Sequence, residues 1–237
     1  NLAAFMRKEN GEAHAFTIDQ MLLASAETVA GNNFESLDRV TMSDAAANAT
    51  LSARADIDIY DIDRSAQSWA DATVSHNSGS DRALTLAMLD TLIQGALENG
   101  VNYDDLILLT GHDTYQNLKQ LMQTSSNATF RYDLAQGQAG NQNGVKGEGG
   151  LNFDSRVGSY DGIPIFISQH VVKDTTSRIH LLDMSQLAMR MAAPTTYVDN
   201  TNLAVRQALS REYAFITAGE LIVYKFNTSG SIRDLNA

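Results

Sequence analysis

Between Val157 and Thr195 the chain carries a strand pattern that few arrangements can accommodate. Asp161-Gly162 is a tight-turn dipeptide, because glycine takes positive φ without a Cβ clash. Beyond it Ile163, Ile165 and Ile167 alternate with Pro164, Phe166 and Ser168, and a period of two marks a strand with two different faces. Residues 178–182 read as the next strand and 187–191 as another. A hairpin followed by two returning strands is architecture, with no obvious chemistry.

Helices surround this core. Thr17-Ile-Asp-Gln20 has the form of a capping box. Ile18, Met21, Leu22, Ser25, Ala26 and Val29 then make one helical stripe that Gly31 can end. Leu86, Leu89, Ile93, Ala96 and Leu97 mark a second amphipathic helix, opened by Thr85 and closed by Asn99-Gly100. The apolar run 106–109 predicts a strand buried on both faces. Asp113-Thr-Tyr-Gln116 is a second capping box, opening a helix striped by Tyr115, Leu118, Leu121 and Met122. Residues 75–80, Ser-His-Asn-Ser-Gly-Ser, are the best internal boundary. Residues 134–150 form a glycine-rich loop. Val205, Leu209 and the run 221–226 predict long strands that return to the first part of the chain. Helix, then mixed α/β, then β is the order of an α+β protein.

Residues 32–82 read mainly as loop with short turns. Within them 55–63 puts Ile57 and Ile59 on one face and aspartates on the other, a short amphipathic strand. Asp56, Asp58, Asp61 and Asp63 raise the question of a cation. The glycine and glutamate that a calcium loop requires are missing, so a solvated acidic face is the expectation. Trp69 reads as a local packing anchor.

Composition narrows the function classes. At 237 residues, 43% hydrophobic and 19% charged, the chain can bury one large core or two small ones. Cysteine is absent, which excludes disulfides and thiolate nucleophiles or ligands. No apolar run approaches the roughly 18 residues of a membrane span. A net charge of −11 argues against a dominant phosphate-binding surface. The five histidines are dispersed, and none stands four residues from another. His112 beside Asp113 is the one plausible catalytic pair, but Asp113 fits an N-cap better and no nucleophile elbow accompanies it. The glycine loop has neither nucleotide-binding spacing. The expectation is therefore no catalytic residue, no cofactor-binding residue and no metal ligand. The first residue, Asn1, has no basic and apolar leader behind it, which reads as a chain beginning after a cut or as part of a gene product.

Across residues 84–235 the ordered motifs NGVNYDDLILLTGHDTYQNLKQL, RVGSYDGIPIFIS, RIHLLDMSQLAMRMAAPTTYV and VRQALSREYAFITAGELIVYKF resemble the major capsid proteins of tailed double-stranded DNA viruses, those of the Hong Kong 97-type fold. The resemblance implies an α+β subunit with two lobes. An axial (A) domain would span 83–195, and a peripheral (P) domain 1–82 with 196–237. The helix beginning near Thr17 would be the visible part of the long spine helix. In that family an N-terminal arm and a long hairpin, the E-loop, precede the spine helix. Residues 1–16 are too few for both, so these parts would be partial or missing, or the first helix misassigned. The resemblance further implies self-assembly into pentamers and hexamers, forming an icosahedral shell around double-stranded DNA without sequence-specific contacts. Portal, scaffolding and decoration proteins would be further partners, with no membrane involved. The place would be the virion, with assembly in the host cytoplasm. Two alternatives stay open: an encapsulin-like compartment shell, and an α/β hydrolase-like enzyme.

Overall fold

The structure, a computed structural model, describes residues 2–23, 34–50, 58–124, 156–173, 176–199 and 213–236. In chain order the helices are α1 (Leu2–Leu23), α2 (Leu37–Val40), α3 (Asp44–Thr50), α4 (Leu86–Glu98) and α5 (His112–Thr124). The strands are β1 (Thr73–Ser75), β2 (Leu106–Thr110), β3 (Arg156–Tyr160), β4 (Ile163–Ile167), β5 (Ser177–Asp183), β6 (Leu187–Asp199), β7 (Tyr213–Val223) and β8 (Gly230–Leu235).

The apolar run 106–109 becomes β2, inside a six-stranded mixed sheet of order β1-β8-β5-β2-β4-β3. Every residue of β2 is buried. Leu106 and Leu108 join Leu89, Leu92, Ile93 and Leu118 under α4 and α5. Ile107 and Leu109 face the other way, toward Leu37, Val40, Phe166 and Phe226. The sheet thus has apolar cores on both faces, which is why its central strand shows no polar alternation. The β3–β4 hairpin turns at Asp161 (φ 48°) and Gly162 (φ 84°). Two successive positive φ values suit a primed turn, matching the twist of the strands.

The second helix forms as its pattern predicts. Asn99 caps α4, and Gly100, at φ 84°, ends it with its N–H on Leu97 O at 2.9 Å. Leu92 is buried in its stripe, and Leu97 is exposed instead. The two expected capping boxes are corrected. Helix α1 runs unbroken through Thr17, whose hydroxyl donates to Ala13 O at 2.8 Å, four residues back. The residues upstream, rich in Ala, Glu, Lys, Arg and Met, are themselves good helix formers. Thr17 therefore meets no helix start to cap and bonds backward. Residues 24–33, which hold the rest of the expected stripe, lie outside the described residues. Helix α5 begins at His112, two residues before the Thr114 start that an Asp113 cap would give, so Asp113 sits inside the first turn. Its carboxylate accepts the Ser177 hydroxyl.

The expected strand around Ile59 is also corrected. Tyr60 and Asp61 both have positive φ, and Ile59 bridges only to Ile62. The chain reverses there, dropping Ile59 into the core. Helices α2 and α3 lie in a stretch read as loop, because four- and seven-residue helices are too short to show a period. The run 221–226 divides: β7 ends at Val223, and Phe226 turns into the core. The glycine loop, Val205 and Leu209 are outside the described residues.

Beside the sheet, β6 and β7 form a two-stranded antiparallel ribbon. The expected limits 83–195 cut across the larger sheet, since β1 and β8 lie outside that range and β2 to β5 inside it. Among the described residues no helix is long and apolar enough to cross a membrane.

Candidate functional site

Two features could carry function: an exposed helix–ribbon layer and a buried charge cluster. In the layer, α1 lies on one face of the ribbon. Tyr213, Phe215 and Thr217 alternate along β7 and so share that face. Asn10 donates to the Tyr213 hydroxyl at 3.1 Å, and His14 Nε2 lies 2.8 Å from Thr217 Oγ1. The Arg7 guanidinium stands 4.9 Å from the centre of the Tyr197 ring, a cation–π contact. The opposite face of the ribbon carries Ala214, Ile216 and Ala218, with Val198 opposite Ala214 in register. Nothing in the described chain covers it: Ile216 is 52% exposed and Val198 38%. Phe5 (60% exposed) and Phe16 (50%) are about three helical turns apart. They share the side of α1 turned away from the ribbon.

The charge cluster lies on the sheet face beneath α2. Alternation along β5 puts Arg178 and His180 on the face of Leu182, and β8 adds Ser231 and Arg233. Asp38, from α2, enters between them fully buried. Its Oδ2 lies 2.5 Å from Arg178 Nη1 and its Oδ1 2.9 Å from Arg233 Nη1. Burial alone would raise the Asp38 pKa. Arg233, Arg178 and His180 outweigh it and hold the group down at about 2. Burial lowers the Arg233 pKa too, against the opposing charge of Asp38. Alongside, Arg39 pairs with Glu35 at 2.9 Å and donates to Asp58 O at 2.6 Å. Arg64, brought down to about 10 chiefly by burial, donates to the carbonyls of Met42 and Arg39. Glu35 is raised, mainly by burial and further by Glu220. These contacts staple residues 34–43 to the sheet; none presents a reactive group to solvent.

The residues singled out for chemistry are dispersed. His112 is exposed, while Asp113 is engaged by Ser177. Asp58 and Asp63 accept backbone N–H groups of Arg64 (3.3 Å) and Ser65 (3.0 Å), so they serve local turns; Asp56 is outside the described residues. Among the described residues no group of three or more acidic or histidine side chains is gathered to hold a metal. Trp69 packs 6.3 Å from Phe226 with part of its indole exposed.

The sequence pattern of the family described as SU10 major capsid protein matches residues 19–233, taking in the sheet, the charge cluster and the ribbon. The chain belongs to the SU10 major capsid protein family. Its role is structural. The fold is similar to that of a chain in the Cyanophage A-1(L) capsid asymmetric unit, with a TM-score of 0.57 at 16% identity. That match covers 95% of this chain and 66% of the other, so the present chain spans about two thirds of its structural relative. No curated protein matches. For a capsid subunit the α+β, Hong Kong 97-type architecture is the expected one, and neither the compartment-shell nor the hydrolase alternative gains support.

Proposed function

We propose that this chain is the self-assembling subunit of an icosahedral virion shell, built from pentamers and hexamers around double-stranded DNA. The observation that carries the reading is the family match across residues 19–233. Support comes from the helix–ribbon layer, where the described residues of one copy leave the ribbon face with Val198 and Ile216 uncovered. A two-stranded ribbon is marginal by itself, and a second copy is the partner an assembling subunit has in abundance. Contacts of this kind are heterologous, and they close into rings. Residues 83–195 form the axial domain and 1–82 with 196–237 the peripheral domain, whose β1 and β8 extend the axial sheet. With a charge of −11 the subunit attracts the enclosed DNA weakly and reads no sequence. It catalyses nothing, assembles in the host cytoplasm, and meets portal, scaffolding or decoration proteins through the same surfaces.

Electron microscopy of purified protein tests the shell directly: closed particles are expected. A chain that stays monomeric under every assembly condition would overturn the reading. The ribbon contact has its own test in the double variant Val198→Asp, Ile216→Asp. The subunit should keep its circular dichroism and melting temperature while sedimentation shows particles lost. Normal particles from that variant would defeat the ribbon's part alone.

A further inference from the structure

Residues 36–43 are fastened across β5 and β8 by polar bonds. Asp38 joins Arg178 and Arg233, and the Ser231 hydroxyl donates to Thr41 O at 2.8 Å. His180 sits at the middle of this seam, buried, level with Ser231 of β8 and Leu109 of β2. The Thr41 hydroxyl donates its proton to Leu37 O at 2.9 Å. With the hydroxyl proton directed to Leu37 O, the imidazole is the donor at the 2.8 Å contact between Thr41 Oγ1 and His180 Nδ1. The charged groups facing the ring are Asp38 of α2, Arg178 of its own strand and Arg233 of β8. Protonation would set three cations against one carboxylate in a site without solvent, where an added charge is costly.

We propose that His180 is an acid-sensitive latch, whose protonation unseats residues 36–43 from β5 and β8 while the sheet stays paired. The sheet survives because backbone ladders among apolar residues hold β2 to β4 and β5. Burial lowers the His180 pKa from 6.5 to about 4; Asp38 opposes the shift, and Arg233 and Arg178 add to it. The sign follows. Once the segment opens, the ring is hydrated, its pKa rises toward the ordinary value, and it binds a proton more readily than in the closed state. Falling pH therefore favours opening, from 6.5 down toward 4. Released residues lead back along the chain to α1, so a shell would feel acid as a loosening between its two lobes. That consequence rests on the capsid reading, but the latch does not.

Hydrogen exchange on the purified full chain at pH 7 and pH 5, corrected for intrinsic rates, tests it without assembly. Amides of 36–43 should lose protection by up to about 20-fold, with 106–110 and 163–167 unchanged. His180→Gln keeps a donor for Thr41 but cannot titrate, and should abolish the pH response. In the wild type, the His180 ring resonances and the 36–43 amides should titrate with a common midpoint, which needs no variant. Equal protection at both pH values, loss spread evenly over the sheet, a response surviving in His180→Gln, or a ring titration that the amides ignore would each overturn the latch.

Discussion

Asp38 shows how one side chain can hold a segment in place. It is buried between Arg178 and Arg233, so replacing it leaves two guanidiniums without their shared anion. Asp38→Asn should cost about 3–5 kcal/mol, as expected for breaking a buried pair, measured as a fall in the urea midpoint at pH 7. The folded pKa of about 2 lies below the ordinary 3.8. The stabilisation is therefore complete above pH 3.8 and is lost as pH falls through about 2. Denaturation curves at pH 7 and pH 2 should show the gap between wild type and variant closing. A hint of this site is legible: in Arg178-Ile-His-Leu-Leu the period-two pattern places two basic groups on a strand face otherwise apolar. The partner, Asp38, lies far away in sequence, inside a helix too short to have a period.

At the scale of elements, two glycines hold the sheet's geometry. Gly162 has φ 84° in the β3–β4 turn, so Gly162→Val should cost about 1–2 kcal/mol, seen as a lower melting temperature. Gly230 lies opposite Thr73 in the parallel β1–β8 pair, and a Cβ there would strike the Thr73 backbone carbonyl. Gly230→Ala should cost about 1–3 kcal/mol as overpacking and strip exchange protection from residues 73–75. The turn glycine could be read in advance because its dipeptide has one common use. The close approach at Gly230 could not, since long-range pairing alone makes it. The α1 start shows the converse: Thr17 matches a local capping signal, yet a helix already running from Leu2 overrides it.

For the whole molecule, net charge and assembly oppose each other. Copies carrying −11 repel at low ionic strength, where the Debye length is long. Raising salt from about 10 mM to about 150 mM should shorten that range from about 30 Å to about 8 Å and speed particle formation, as followed by light scattering. A rate that falls with salt would instead mean that attractive ion pairs drive the contacts. The uncharged patch of Val198, Ala214 and Ile216 on the ribbon's outer face makes the first outcome the expected one.

The sequence by itself determined the elements whose signal is local: the buried strand β2, the Asp161-Gly162 hairpin, helix α4 with its glycine stop, and the α+β order. Each rests on hydrophobic period or turn chemistry, which act over a few residues. Only the tertiary structure decided that β1 and β8 complete the sheet, that Asp38 meets Arg178, His180 and Arg233, and that the described residues leave one ribbon face uncovered. Those outcomes depend on contacts between residues distant in the chain, where burial fixes pairing and charge, and no local pattern encodes them.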